Sequence, residues 1–214
     1  MLYCVELLPQ VTINTASRFA DEAAAFFGES FNSLKHHAFY LLQFDPNTPA
    51  EIAERAVEIT ARRLLADTVT QTYRGGPVEK FFHNLAAETV PALILAANRP
   101  GVTDAEGESA LQGYRVMAAS GELDLPELQM IRSAALYYLE LAPGVATEKL
   151  AEFARLFLIN DLVQDCLVFV PGTIKPERLL NFVNGQFNFS KDKPPTVKTI
   201  PLKDAAPEEL EKIS

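Results

Sequence analysis

The chain has 214 residues, of which 48% are hydrophobic, and its 28 acidic and 19 basic side chains give a net charge of −9. This hydrophobic content is enough for a folded core and excludes general disorder, while the length allows one large domain or two small ones. The acidic balance argues against an extended surface for nucleic acid or anionic membranes, because such surfaces need excess Lys and Arg to neutralise phosphates.

The two cysteines, Cys4 and Cys166, lie 162 positions apart and have no partner at metal-ligand spacing. This pattern favours free thiols in a reducing compartment over one long-range disulfide. The N-terminal residues lack the basic region and cleavage site of a signal peptide. The longest apolar run, Val90–Ala97, is shorter than the ~20 residues that cross a bilayer. We therefore expect a cytoplasmic protein.

The first part of the chain reads as strand, helix, strand, helix and strand. Asn14 or Thr15 offers an N-cap for the first helix, and Gly28 ends it. The second helix opens at Thr48-Pro49, since proline is favoured in a first turn. Its apolar positions predict an inner side made of Ile52, Ala56, Ile59 and Leu64. The predicted strands are Leu2–Leu8, Leu34–Phe44 and Asp67–Tyr73.

Arg74–Pro77 reads as a break and is followed by a short helix over Val78–Ala87. The same order of elements then returns, with a helix from Thr103 or Asp104. The remaining predicted elements are the strands Leu93–Ala97, Met130–Leu141 and Cys166–Val170, and a helix over Ala146–Ile159. After Pro171-Gly172 the periodicity weakens, although Leu179–Phe182 is compatible with a helical turn. Lys191–Lys198 reads as extended, and Pro207–Ser214 as the start of a helix belonging to a longer chain.

An internal repeat emerges when residues 3–73 are compared with residues 94–167. Lys35–Pro46 aligns with Arg132–Pro143 at an offset of 97, and Leu65–Val69 aligns with Ile159–Val163 at an offset of 94. Such matches within elements, with length changes in loops, are typical of a duplication. We expect an α+β protein of two α/β-sandwich repeats, with antiparallel sheets, helices on one face and a pseudo-two-fold axis. The expected units are residues 1–74 and 91–170, a linker at 75–90 and a tail at 171–214.

Motifs for nucleotide, metal or nucleophilic chemistry are missing from the sequence. His36 and His37 are neighbours on a strand and so point to opposite faces, which prevents them from sharing a metal. His83 is interpreted as a packed or surface residue of the short helix. Asp67 and Asp161 are predicted at equivalent positions, where each shapes a turn through Asx-type bonds. Tyr40, Tyr137 and Tyr138 are predicted to pack between sheet and helices, and no catalytic, cofactor-binding or metal-binding residue is assigned.

One segment, Arg99-Pro100-Gly101-Val102-Thr103-Asp104-Ala105-Glu106-Gly107, resembles a known family. Together with the strand Arg132–Leu141, it is similar to the small PurS subunit of phosphoribosylformylglycinamidine (FGAM) synthase. The first copy lacks this motif, but Leu64–Val69 and the strand predicted after it resemble the end of the PurS unit. Two fused units resemble the PurS-like N-terminal domain of the large, single-chain (PurL) form of that synthase.

This resemblance implies a non-catalytic assembly domain in purine biosynthesis. Such a domain packs against the synthase domains and helps to seat the glutaminase, so that ammonia reaches the amidotransfer site. The complete enzyme is a ligase that uses ATP, Mg and glutamine, but the resemblance places no cofactor and no catalytic residue in this region. The implied partners are the synthase catalytic domains and the glutaminase, with a further homo-oligomer left open.

Two other functions remain open from the sequence alone. A regulatory domain of tandem ferredoxin-like units would bind a small ligand, such as an amino acid or nucleotide, at the seam between its copies. A small α+β enzyme would use Asp67, Asp161 or His36 in a cleft. Titratable residues that converge on one pocket would favour a ligand site or an enzyme, and dispersed ones would favour assembly.

Overall fold

A central antiparallel sheet of six strands organises the chain in a computed structural model, which describes residues 1–10, 17–88, 90–121 and 123–187. The strands are β1 (Leu2–Pro9), β2 (Phe31–Phe44), β3 (Gln71–Pro77), β4 (Ala92–Asn98), β5 (Leu128–Leu141) and β6 (Gln164–Phe169). The helices are α1 (Ser17–Phe27), α2 (Ala50–Thr60), α3 (Val78–Ala87), α4 (Ala105–Ala119), α5 (Thr147–Phe153) and α6 (Pro176–Phe187). The expected α+β class and antiparallel pairing are confirmed.

The sheet has the strand order β3-β1-β2-β5-β4-β6, so the two longest strands lie side by side at its centre. β2 and β5 pair antiparallel along their length, with Ala38 opposite Ala135. β1 and β3 extend the sheet beyond β2, whereas β4 and β6 extend it beyond β5. We call the residues from β1 to α3 the N-terminal half and those from β4 to α6 the C-terminal half. The two halves share one sheet.

Helices cover both faces of this sheet, which corrects the expectation that they lie on one face. α3 and α6 pack on one face, where Phe82 and Val183 join a buried cluster with Cys4. The other four helices pack on the opposite face. The reason lies in the inner strands: five consecutive residues of β1 and six of β4 are buried, so neither strand has a solvent-facing side.

The first helix of each half packs against the other half. Ala23 of α1 belongs to a buried cluster with Ile94 of β4 and with residues of α5. Tyr114 of α4 belongs instead to a cluster with Val5 of β1 and with residues of α2. The two expected repeats therefore do not have separate cores.

The strand β3 differs from its predicted bounds. It runs from Gln71 to Pro77 rather than from Asp67 to Tyr73, and residues 68–70 form a turn. Gly75 and Gly76, which suggested a break, belong to this strand. A Cβ at Gly75 would lie only 2.5 Å from the backbone oxygen of Cys4. Glycine here permits the close approach of two backbones.

The second helix also departs from the prediction on its inner side. Ile52 is 43% exposed, and the buried residues of α2 are Ala53, Ala56, Val57 and Thr60. α2 and α5 each continue into one π-helical turn, over Ala61–Leu65 and Ala154–Leu158. The second of these turns ends at Leu158, one residue before the predicted end of its helix.

Part of the expected tail is a packed helix, since Leu179 and Val183 of α6 are fully buried. The proposed cap at Asn14 or Thr15 and the predictions for Lys191–Lys198 and Pro207–Ser214 lie outside the described residues. Within the ranges that the structure describes, no helix has the length and apolar character needed to cross a membrane.

Candidate functional site

A fully buried carboxylate lies in the middle of β1. The side chain of Glu6 is 0% exposed and accepts three hydrogen bonds. Its Oε1 is 2.6 Å from Nδ1 of His37 and accepts the hydroxyl hydrogen of Tyr138 at 2.8 Å. Its Oε2 accepts from Nε of Arg74 at 2.6 Å. We call these four residues the Glu6 cluster.

The sheet register explains why these side chains meet. Glu6 pairs with Arg74 on β3 and with Phe39 on β2. His37 lies two residues before Phe39 and therefore on the same face, since side chains alternate along a strand. Tyr138 comes from the adjacent strand β5, where it faces Lys35. Four strands thus contribute one residue each, although the partners of Glu6 lie 31, 68 and 132 positions away in sequence.

The electrostatics of the cluster favour an ionised Glu6. Burial alone raises the pKa of this carboxyl, but the hydrogen bonds from His37, Arg74 and Tyr138, with the charge of Arg74, outweigh burial and lower it. Burial and the neighbouring carboxylate raise the pKa of Tyr138, so its hydroxyl stays protonated as a donor. Because an ionised carboxylate only accepts, Nδ1 of His37 carries the hydrogen in their shared bond.

A cleft of about 240 Å³ opens beside the Glu6 cluster. Arg74 also contacts the Glu88 carboxylate, with both oxygens 3.3 Å from its Nη1, and its guanidinium lies over the Phe81 ring. The side of the His37 ring that carries Nε2 has no hydrogen-bond partner among the described residues. The cleft is lined by Leu8, Ser33, Lys35, His37, Arg74, Glu88, Val90, Pro91, Tyr138 and Glu140.

A second polar network surrounds Asp104, in the segment that carries the family resemblance. Asp104 is 2% exposed and caps α4, since its Oδ1 accepts from the backbone N–H of Gly107 at 3.0 Å. Its two carboxylate oxygens also accept from the backbone N–H and the hydroxyl of Ser133, both at 2.6 Å. Arg132 lies 3.9 Å from Asp104 and donates to the backbone oxygens of residues 98, 99 and 102.

The spacing Asp104-x-x-Gly107 has a packing reason as well. A Cβ at position 107 would lie 2.5 Å from the backbone oxygen of Ile131 and 2.7 Å from Asp104 itself. Glycine therefore allows the start of α4 to press against β5, where Asp104 ties the two together. In this structure the motif fastens the β4–α4 loop to β5.

The histidines lie apart from one another. His36 and His37 face opposite sides of the sheet, and His36 stacks on Tyr137 with ring centroids 4.8 Å apart. Burial, followed by the neighbouring His37, lowers the pKa of His36. His83 lies on α3, where its Nδ1 contacts the backbone oxygen of Glu79 at 2.8 Å. The cluster thus includes His37 and excludes the other two.

The tyrosines divide between different environments. Tyr40 hydrogen-bonds to the carboxylate of Glu106 on α4, and burial with that carboxylate raises its pKa. Tyr137 lies against Phe19 and His36, and burial raises its pKa to about 12. All three tyrosines are at least nine-tenths buried, as expected, but only Tyr138 belongs to the Glu6 cluster.

The two predicted aspartates do not occupy equivalent positions. Asp67 closes its turn as expected, with its Oδ1 accepting from the N–H of Val69 at 3.0 Å. In the corresponding turn, Asn160 and not Asp161 has this role, since its Oδ1 accepts from Leu162 at 3.1 Å. The two turns are 93 residues apart, one less than the offset inferred from the sequence.

Cys4 is buried and Cys166 is half-buried, and both are free thiols. Burial, with the nearby Glu6 charge, raises the pKa of the Cys4 thiol well above its usual range. Among the described residues, no group of three or more His, Cys, Asp or Glu side chains could hold a metal ion.

Comparison with protein-family models and with curated proteins finds no match to this chain. The evidence for its function therefore comes from its own residues. Among these, the sequence interpretation missed Glu6 and Arg74 altogether. A signal was present, because an ionisable residue inside the apolar run Leu2–Leu8 needs buried partners.

Proposed function

We propose that the chain is a tandem pair of PurS-like units related by a pseudo-two-fold axis, and that it acts as a non-catalytic assembly module of FGAM synthase. One observation carries this proposal. Ala38 pairs with Ala135 at the centre of the sheet, and the same two residues correspond in the repeat at an offset of 97. A residue that pairs with its own counterpart lies on a two-fold axis.

The strand order supports the same proposal. Reading outward from the centre, the N-terminal half has β2, β1 and β3, and the C-terminal half has β5, β4 and β6. The two Asx turns also agree, because Asp67 and Asn160 each receive a hydrogen bond from the residue two positions later. A dimer of PurS-like units within one chain accounts for both features.

Two exposed apolar side chains provide contact points for partners. Val69 is 82% exposed and Leu162 is 79% exposed. Each lies two positions after the Asp or Asn residue that closes its Asx turn. Single exposed apolar residues are common, but a matched pair at equivalent turns suits a partner that contacts both ends of the sheet. We propose that the synthase catalytic domains and the glutaminase are those partners, in the cytoplasm. ATP, Mg and glutamine would act in the other domains.

A capture experiment tests this function. Immobilised chain is incubated with purified FGAM synthase catalytic domains and with purified glutaminase, each separately and together. We expect capture of at least one of them, and at least a tenfold loss of capture when Val69→Asp and Leu162→Asp are combined. Leu156→Asp is the matched control, since Leu156 is 60% exposed but lies on the π-helical turn after α5. Failure of the unmodified chain to capture either partner would contradict the proposal.

A second candidate function is the binding of a small ligand by a regulatory domain. The Glu6 cluster favours it, because titratable side chains converge on one cleft instead of being dispersed. This cleft lies where β2 meets β5, which is the seam between the two halves. The test is direct titration of the purified chain with small metabolites, and the next inference selects the class to use.

A further inference from the structure

We propose that the cleft beside the Glu6 cluster binds a small aliphatic α-amino acid as a zwitterion. The inference rests on the second candidate function and names its ligand class. It starts from the charges that line the cleft. Arg74 is already engaged by the carboxylates of Glu6 and Glu88. Lys35 and Glu140 are therefore the charged groups that a ligand can use.

Lys35 and Glu140 face each other diagonally across the central strand pair. Lys35 is opposite Tyr138 and Ser33 is opposite Glu140, so both charged residues lie on the same face of the sheet. Neither forms an ion pair or hydrogen bond with any described residue. A cation and an anion that line one cleft without pairing can each take one end of a zwitterion. Lys35 would bind the ligand's carboxylate, and Glu140 would bind its ammonium group.

His37 adds a directional hydrogen bond. Its Nδ1 hydrogen is donated to Glu6, so in the neutral ring Nε2 presents a lone pair that can accept a hydrogen bond in the lining of the cleft. Glu6 is thus a positioning residue, which fixes the orientation and tautomer of the imidazole. Glu6, His37 and Tyr138 lie on the inner strands β1, β2 and β5, and this placement keeps the acceptor in position.

The rest of the cleft favours a short apolar side chain. Leu8, Val90 and Pro91 contribute aliphatic surface beside the polar groups. The volume of about 240 Å³ is smaller than the ~300–1,000 Å³ of sites for drug-sized molecules. It suits an amino acid with a three- or four-carbon side chain.

The test compares three probes that share one propyl chain, by isothermal titration calorimetry on the full chain. L-Norvaline carries both charges, pentanoate only the carboxylate, and 1-butylamine only the ammonium group. We expect L-norvaline to bind at least tenfold more tightly than either of the others. Equal binding of pentanoate or of butylamine would overturn the proposal, as would no binding of L-norvaline at millimolar concentration.

Variants then locate the bound probe. Lys35→Met and Glu140→Gln alter exposed side chains, and each is expected to weaken L-norvaline binding at least tenfold. Lys175→Met and Glu152→Gln are matched controls on exposed residues away from the cleft, expected to bind normally. Undiminished binding in both cleft variants would overturn the proposal. Capture of partner domains is scored separately, so a failed assembly function and a failed ligand site give different results.

Discussion

Glu6 and Leu95 occupy the same place in the two halves of the sheet but have opposite surroundings. Glu6 lies between Phe39 and Arg74, while Leu95 lies between Leu136 and Leu167. Both side chains are fully buried on the face covered by α3 and α6. Glu6 is bound by His37 and Arg74 of its own half and by Tyr138 of β5, whereas the strand neighbours of Leu95 are aliphatic.

The difference shows that this position can be filled without any polar group. Replacing a buried ionic network with well-packed apolar residues is often neutral or stabilising, because the charges lose their hydration. The C-terminal half demonstrates such a packing within the same molecule. Stability alone therefore gives no reason for the Glu6 cluster, and a role at the adjacent cleft accounts for it better.

The largest loss of stability is expected when a carboxylate is placed at Leu95, the position in the C-terminal half that corresponds to Glu6. Leu95→Glu would bury a carboxylate among aliphatic side chains with no donor at hand, and we expect a loss of about 5 kcal/mol or more in the free energy of unfolding. Urea unfolding measures it, with Leu162→Glu as the exposed control, for which little change is expected. A Leu95→Glu protein as stable as its control would show that the surroundings of Leu95 can accommodate a buried carboxylate.

A smaller effect is expected from removing one donor of the Glu6 cluster. Arg74→Met leaves Glu6 buried with two hydrogen bonds instead of three, and we expect a loss of about 2 kcal/mol. Chemical unfolding at neutral pH gives this value, and Arg55→Met on the exposed side of α2 is the matched control. An unchanged stability would mean that the guanidinium contributes nothing to holding the carboxylate.

Replacing the whole cluster is expected to change neutral stability little and acid stability more. The variant combines Glu6→Leu, His37→Ala, Arg74→Leu and Tyr138→Leu. Each replacement is the residue at the corresponding position of the other half, namely Leu95, Ala134, Leu167 and Leu41. At pH 7 we expect its free energy of unfolding to lie within about 1 kcal/mol of the unmodified chain.

The acid dependence follows from the lowered pKa of Glu6. A carboxyl with a folded-state pKa below its ordinary value of 4.5 contributes stability above that value and loses it as the pH falls through the folded-state pKa. The unmodified chain should therefore lose more stability below pH 4.5 than the four-residue variant. Unfolding midpoints measured from pH 7 to pH 3 decide this, and parallel acid profiles would contradict the role of Glu6.

The smallest effects are expected where the two halves agree. Asp67→Asn and Asn160→Asp keep an Oδ1 acceptor in each turn, so Tm should stay within measurement error. Asp67→Ala and Asn160→Ala remove the acceptor and should both lower Tm by similar amounts. Asp161→Ala is the control that separates the observed turn from the predicted one. A larger loss for Asp161→Ala than for Asn160→Ala would contradict the hydrogen bonds described.

Much of the secondary structure was predictable, because it depends on local patterns. The helix predicted over Ala146–Ile159 is observed as α5 and the π-helical turn that follows it, from Thr147 to Leu158. β3 was misplaced because Gly75 resembles a break until the neighbouring backbone of Cys4 is known. Asp161 was predicted instead of Asn160 because the alignment of the two copies is off by one residue at this turn. The hydrogen bonds that reveal the slip can be seen only in the structure.

The Glu6 cluster could not be predicted from the sequence, and the reason is different. His37 was considered only as a metal ligand, and its partner Glu6 lies 31 positions away on another strand. Tyr138 joins from 132 positions away. Only the strand order brings these residues together, and strand order is set by the packing of the whole chain.

The pairing of β2 with β5 also affects how the chain acquires its structure. These strands are separated by roughly a hundred residues, and loops of this length close slowly compared with local contacts. During synthesis, β2 must wait for β5 with a fourteen-residue edge unpaired. Until then, the emerging chain presents a template for intermolecular strand addition, so its yield in cells would depend on synthesis rate and chaperones.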